Sequence, residues 1–476
     1  MMRLLQENRA WLFVLLGILV VRMWLASYIP IMEFTEARYA EIARKAFVLD
    51  QWIPLWFRDQ QPFWGKPPLA FWSTTVSYFL FGVNELTTRL PSMLYTLMTL
   101  ITLALWLIRL ERSALVLPVW FVYCSFFIVM QSAGTILTDP LMTFCTTTVM
   151  LAFWQCMNSE DHTFKWALIL WVCLGIGLLT KGPVVLVLCG LACGAWAIGY
   201  GKLFEIFRRT YFLPGLIMML VIAIPWYYLQ ELSTPGFLDY FLMGEHFYRF
   251  TQPGWEGDLY GAAKDQPKGM IWIFLLIGSL PWGLVILWEL VFRRKALSDR
   301  VTPEQRPLLL YLASWVVMPT LFFSLAGNII PTYVLPMLPA MAVLLVLLTT
   351  INLKIIQQLG TFFAVLFFLL ALGAYQFYFI DHKYNQKPVL EAYKKLNSVD
   401  PGPLFYEGAE TFSVVFYGEG KVSFGRGLWK FFENKNTIYI GTRDMWASST
   451  IPVISKRCKK QLQQGDVSFW YCPSIK

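Results

Sequence analysis

Apolar residues run through this chain in blocks of about twenty, separated by short polar or charged connections. A helix needs about 20 apolar residues to cross ~30 Å of hydrocarbon. Blocks of that kind lie at 10–29, 89–108, 114–133, 140–157, 165–180, 183–199, 210–230, 270–292, 307–325, 331–349 and 356–379. They predict a polytopic α-helical membrane protein with about eleven spans, give or take two. The first block is too long for a signal-peptide core and no small-residue cleavage site follows it, so it reads as a retained span. Residues 67–84 (PPLAFWSTTVSYFLFGVN) are also apolar, but they are short, open on Pro67 and Pro68, and carry Ser, Thr and Tyr. They predict an interfacial helix.

Beyond residue 380 the pattern changes. PVLEAYKKLN (388–397) has helical spacing, while TFSVVFYGEGKVSF (411–424) and NTIYIG (436–441) alternate and are bounded by Gly and polar residues, which reads as short strands. The expected division is a membrane unit over 1–380 and a small α/β unit over 381–476, with long outer loops at 30–88 and 231–268.

Composition supports the membrane reading. Hydrophobic residues make up 57% of the 476, aromatics 17% and charged residues only 14%, where a soluble domain carries about a quarter charged. Soluble, collagen-like, disordered and disulfide-scaffold classes are excluded. The net charge of +9 comes without a basic helix or an aromatic RNA-binding motif, so no nucleic-acid partner is expected. With the N-terminus in the cytoplasm, Arg109, Arg112, Lys165, Lys202, Arg208, Arg209, Arg293 to Lys295, Arg300, Arg306 and Lys354 all fall in inner connections. The short outer connections hold almost no Lys or Arg, an asymmetry that orients the chain. Counting 67–84 as a span would reverse it. Six cysteines lie in the apolar blocks as packing residues; Cys458 and Cys472 lie in the tail, where an oxidising compartment would let them pair. No Cys/His spacing of a metal site occurs and nothing in the sequence requires a metal or cofactor, although the carboxylates of Glu36 and Asp139 are of the type that could hold a divalent ion.

Candidate chemistry gathers on the outer side. Glu36, Arg38 and Tyr39 stand in FTEARYAEIARKAF (34–47), where Thr35 can cap a helix and Glu36 and Tyr39 share a face. Glu36 could equally do no more than complement the helix dipole, with Arg38 and Glu41 as an exposed pair. Lys66, fixed between Trp64–Gly65 and Pro67–Pro68, is placed to hold a lipid phosphate or to snorkel. Asp139 precedes Pro140 at a helix start, a capping position and also a costly depth for an unpaired acid. Lys181 ends a span on the same side, where snorkelling is its ordinary role. GEHFYRFTQP (244–253) brings Glu245, His246 and Arg249; His246 is the one histidine among these groups, and a structural role is its commoner use. Tyr333 in NIIPTYVLP stands at an outer helix end, as a belt tyrosine would. Two carboxylates facing several cations at headgroup depth suit a reaction on a lipid-linked phosphate, the cations stabilising it as a leaving group and a carboxylate serving an acceptor.

In motif order the chain resembles the polyprenyl-phosphate-dependent glycosyltransferases of the C-type membrane fold, the group that includes bacterial lipid A aminoarabinose transferases and protein O-mannosyltransferases. The resemblance rests on TEARYAEIARKA, PFWGKPPLAFW, FGVNELTTRLPS, TDPLMTF, LLTKGP, EHFYRF, the PW at 281–282 and PTYVLP. It implies a C-type fold with interfacial helices after the first span and an outer C-terminal unit. It also implies an undecaprenyl-phosphate sugar as donor, used on the periplasmic face of the bacterial inner membrane. By the same resemblance Glu36 and Asp139 stand at the catalytic centre, and Lys66, Arg249, Tyr333 and Lys181 face the donor phosphate, with Arg38, Tyr39 and His246 in support. Two positions depart from relatives: Thr35 where they often have Asp, and Gly65 where an acidic residue is usual. The expected function is transfer of the sugar, with inversion, to a periplasmic acceptor. Lipid A or a related glycolipid comes first, and a protein hydroxyl or an O-antigen-type glycan second. A lipid-linked sugar flippase is the rival from another class; a transporter would put its charges near the midplane, often with internal repeats. A non-catalytic scaffold, with Thr35 marking a lost activity, is another.

Overall fold

The computed structural model describes residues 9–58, 60–160, 163–261, 264–408, 410–425, 436–443, 454–455 and 457–474. All eleven apolar blocks fall on helices. Seven described helices are long and apolar enough to cross a membrane unaided, and a bent pair makes an eighth; the chain is a multi-span membrane protein. The outer ring includes Arg9–Tyr28, Phe212–Ser233 and Leu353–Phe379, whose side chains are mostly exposed to the surrounding lipid. Asp139–Asn158 is different. It carries Thr143, Thr146, Thr147, Thr148 and Gln155, too polar for a lipid face, and nearly all of it is buried between its neighbours. Thr143, Thr146 and Thr148 return their hydroxyls to carbonyls one turn back, which satisfies them without water.

Two expected spans are broken. The block at 114–133 divides into Val116–Cys124 and Phe127–Ser132, and that at 270–292 into Met270–Gly278 and Trp282–Phe292, bent by 109°. The breaks face each other. Phe127 N donates to the Leu280 carbonyl at 2.9 Å, and Trp282 Nε1 donates to Ser125 Oγ at 2.9 Å. Backbone groups freed inside a membrane must find such partners, because no water is available there.

The segment 67–84 forms Leu69–Phe81, thirteen residues long. At 1.5 Å per residue that is roughly 20 Å, too short to span. It packs on Thr35–Leu49, with Thr75 Oγ1 donating to the Ala43 carbonyl. Between them runs a small hairpin, β1 (Trp56–Arg58) and β2 (Gln61–Pro62).

One side chain joins these pieces. Arg89 is buried and forks onto both carboxylate oxygens of Glu36 at 2.8 Å. It also donates to the carbonyls of Ala26, Ile29 and Pro30 at the end of the first span.

In the tail, Lys387–Asn397 is the expected helix, followed by a five-stranded sheet in the order β4-β3-β5-β7-β6, where β3 is Leu404–Glu407, β4 Val422–Gly425, β5 Ile438–Arg443, β6 Lys459–Gln464 and β7 Val467–Cys472. β3 is parallel to β4 and β5, and β7 is antiparallel to β5 and β6. One expectation fails: Phe412–Tyr417 is a helix, and only 422–425 of that stretch forms a strand. Its apolar residues pack in two directions, Val414 in the core of the tail and Phe412 and Phe416 against the first outer loop, which a two-faced helical turn allows and a strand in this sheet would not. Cys458 and Cys472 are joined by a disulfide. The tail grips the first outer loop: Tyr417 Oη accepts from Ile31 N and donates to Glu85, Ser413 N donates to Glu33, and Lys387 pairs with Glu85 at 2.6 Å.

Replacing Arg89 by Leu leaves the half-buried Glu36 without its partner and strips three carbonyls. Breaking such a pair costs about 3–5 kcal/mol, so the thermal unfolding midpoint of purified Arg89→Leu should fall by several degrees, and Arg89→Lys, which cannot fork, should recover only part of it.

Candidate active site

Two cavities meet at the end of the bundle that carries the outer loops. One, about 360 Å³, is walled mainly by apolar groups such as Met142, Leu188, Phe250 and Phe322. The other, about 730 Å³, is lined by Arg38, Tyr39, Arg58, Asp258, Tyr260 and Lys264 among others. Six residues line both: Lys66, Asp139, Lys181, Glu245, Arg249 and Tyr333. An apolar slot opening onto a polar chamber through a charged collar is the shape a lipid phosphate needs, chain in one and head in the other.

Each member of the collar is placed by local structure. Asp139 begins its helix with Pro140 in the first turn, where proline loses no hydrogen bond. Its carboxylate does not cap the helix; it takes Lys181 Nζ at 2.5 Å. Lys181 closes its own helix and is buried rather than snorkelling, with its ammonium 4.5 Å from the Tyr333 ring centroid. The turn after it needs Gly182: φ is +79°, and a Cβ there would meet Phe241 and His246 at 2.7–2.8 Å. Lys66 leaves the turn before Leu69–Phe81 and reaches Glu245 at 2.8 Å.

Glu245 is the hub. It sits on a π-helical stretch, Tyr240–Tyr248, and collects Lys66, Arg249 at 3.1 Å and the Tyr240 hydroxyl at 3.2 Å. Burial opposes its charge, but Lys66 and Arg249 outweigh that and hold its pKa below the ordinary carboxylate value. Arg249 in turn has its pKa raised: burial opposes the charge and Glu245, Tyr333 and Asp258 more than restore it. Its second acidic neighbour, Asp258, lies 3.4 Å away. The Nε atoms of Arg38, Arg58 and Arg249 are buried without a hydrogen-bond partner, and all three residues line the polar chamber. Buried donors of that kind are costly unless something accepts from them.

Among the sequence candidates, Lys66, Asp139, Lys181, Arg249 and Tyr333 come together in the collar, Arg38 and Tyr39 face the polar chamber, and His246 lines the apolar slot. Glu36 does not join them. Thr35, Arg38 and Tyr39 stand at i, i+3 and i+4 and form one helix face; Glu36, about 100° further round, turns to Arg89. Although Glu36 stands three residues from Tyr39, its carboxylate is taken by Arg89 and lines neither cavity, and Thr35 opens the helix without capping it. Arg38 and Glu41 are not an exposed pair either: Glu41 is buried on Arg44, and Arg38 donates to the Tyr260 carbonyl. The sequence reading passed over Asp258, Arg58 and Lys264, which carry no motif, and gave Glu245 no role although its i, i+4 spacing from Arg249 was visible.

The dolichyl-phosphate-mannose-protein mannosyltransferase family matches residues 11–241. The undecaprenyl phosphate-α-4-amino-4-deoxy-L-arabinose arabinosyl transferase of Yersinia pestis is 31% identical over 354 residues, covering 72% of this chain and 60% of the relative. That of Erwinia tasmaniensis is 32% identical over 320 residues, covering 65% and 54%. The chain thus spans about 60% of the length of the curated relatives it matches. The crystal structure of ArnT from Cupriavidus metallidurans bound to undecaprenyl phosphate superposes with a TM-score of 0.77 at 18% identity, covering 98% of each chain.

His246 offers Nδ1–H to the Phe241 carbonyl at 2.7 Å, and its burial lowers its pKa below 6.5. As pH falls below about 6.5 the unfolded chain takes up this proton before the folded one, so stability is lost in that range. His246→Gln should flatten the fall in unfolding midpoint between about pH 6.5 and 5, leaving the loss at lower pH that belongs to Glu245.

Proposed function

This chain has the C-type glycosyltransferase fold and is similar to the aminoarabinose transferases above, and on that premise we propose that it moves a sugar from a polyprenyl phosphate to an acceptor. The observation that carries the proposal is the charged collar between an apolar slot and a polar chamber. The slot takes the first isoprene units, the collar the phosphate, and the chamber the sugar and the acceptor. Undecaprenyl phosphate, the molecule bound in the Cupriavidus metallidurans structure, is the carrier we assign to the donor. The setting is the bacterial inner membrane, with the N-terminus in the cytoplasm and the collar and tail in the periplasm, as the basic inner connections favour. Lipid A or a related glycolipid is the first acceptor, ahead of a protein hydroxyl or an O-antigen-type glycan.

The chemistry follows from the cations. Lys66, Arg249 and Lys181 hold the donor phosphate, and Arg249 Nε supplies a donor that has no partner without it. As the anomeric bond lengthens, negative charge grows on the phosphate oxygen, and fixed cations in a dry site stabilise it more in the transition state than in the ground state. Asp139 keeps Lys181 charged and aimed. Tyr333 orients the same ammonium through its ring face. A single displacement with the acceptor on the opposite face of the sugar gives inversion. Nothing in this scheme calls on a metal.

Mass spectrometry of lipid A and periplasmic glycans from cells with and without the gene tests the proposal. A glycan mass should be present with the wild type and absent from the deletion and from Lys66→Ala; an unchanged profile in every strain, with the protein expressed, rules transfer out. Charge-assisted hydrogen bonds contribute about 1.5–3 kcal/mol each. Lys66→Ala and Arg249→Ala should therefore weaken undecaprenyl phosphate binding to the purified protein roughly tenfold to a hundredfold.

A further inference from the structure

Three carboxylates face the cavities, and they are not equally occupied. Asp139 is bound to Lys181 at 2.5 Å, and Glu245 to Lys66, Arg249 and Tyr240. Asp258 Oδ1 accepts the backbone N–H of Tyr260 at 3.0 Å, while among the described residues Oδ2 has only the 3.4 Å contact with Arg249. Its side chain is 6% exposed, yet it lines the polar chamber and not the apolar slot.

The loop bearing Asp258 is held in place from three directions. Arg38 donates to the Tyr260 carbonyl, and Leu259 N donates to the Tyr240 hydroxyl at 3.1 Å. The Tyr260 hydroxyl accepts from Trp64 N and donates to the Pro62 carbonyl, each at 2.8 Å. Trp64 is two residues from Lys66 and Tyr240 is bonded to Glu245. The loop is therefore registered against the phosphate collar itself, not against remote scaffold.

Ion pairing supplies the rest. Within the collar Lys66 and Arg249 are paired with Glu245 and Lys181 with Asp139, while Asp258, just outside the collar in the polar chamber, is the further acid on Arg249. A donor phosphate brings one more negative charge and competes for Arg249. The partner held at the greatest distance yields first, and that is Asp258.

Resting on the transferase reading above, we propose that Asp258 is the carboxylate that serves the acceptor, and that donor binding releases it for that role by taking over Arg249. In the step, Asp258 accepts the proton of an acceptor O–H, and the acceptor oxygen forms its bond to the anomeric carbon. The bond from that carbon to the phosphate oxygen breaks, and its electron pair stays on the polyprenyl phosphate, held by Lys66, Lys181 and Arg249. Glu36 is left with its structural partner, Arg89.

Asp258→Asn tests this, because an amide oxygen can still accept from Tyr260 N and keep the loop. Transfer is read as glycan mass in cells, folding as the thermal unfolding midpoint, and donor-site binding with undecaprenyl phosphate on the purified protein. The expected result is a loss of transfer of about a hundredfold or more, an unchanged midpoint, and undecaprenyl phosphate binding as tight as in the wild type or tighter. Asp258→Glu should restore part of the transfer. Transfer by Asp258→Asn within about threefold of the wild type overturns the assignment and leaves the transferase standing. Loss of undecaprenyl phosphate binding along with transfer also overturns it, since Asp258 would then act only through its loop. If the wild type itself makes no glycan mass, the transferase reading fails first and this assignment with it.

Discussion

A charge at the edge of a bilayer is expensive unless something answers it. At this end of the bundle the two lysines are answered from distant parts of the chain. Lys66 in the first outer loop meets Glu245 in the second, 179 residues away, and Lys181 meets Asp139 across 42. The pairs make the site affordable in an empty protein. On the proposed function, an arriving phosphate competes with the carboxylates already paired to Lys66, Lys181 and Arg249, and gains the unpartnered Nε donors that line the chamber. On that reading, affinity for the donor is the difference between two sets of ionic contacts. Such an arrangement favours selectivity over raw strength, because a ligand of the wrong shape gains little by disrupting it.

The same economy explains why the polar residues of the membrane unit are so unevenly spread. Asp139–Asn158 can carry threonines because other helices surround it, and the broken spans can leave backbone groups open because their breaks face each other. Arg89 performs the corresponding service at the surface of the bundle, gathering the end of the first span and the first interfacial helix with one guanidinium.

The helices were legible because apolar length is a local property. All eleven blocks became helices, and the short Leu69–Phe81 was recognised by the residues that make it a poor span. The residues of the collar were legible as types on one side of the membrane. Their pairing was not, since Glu36 choosing Arg89, or Lys66 choosing Glu245, depends on contacts 53 and 179 residues apart in sequence. Asp258 belongs to no motif and became visible only through the hydrogen bonds that fix its loop. The segment 412–417 misled for another reason. Five apolar residues and Ser413, with two β-branched members, suit a strand or a helical turn equally, and the choice was made by the two surfaces they lie between.

The grip of the tail on the first outer loop has a consequence for biogenesis. Ile31 N, Glu33 and Glu85 find their partners at Tyr417, Ser413 and Lys387, which leave the ribosome more than 300 residues later. Through most of synthesis the first loop lacks the tail that grips it, although the helices that flank it are already made. The polar chamber is therefore completed from its last-made end, since Phe412 of the tail is part of its wall, so a nascent chain can have all its helices in the bilayer while that chamber is still open to water.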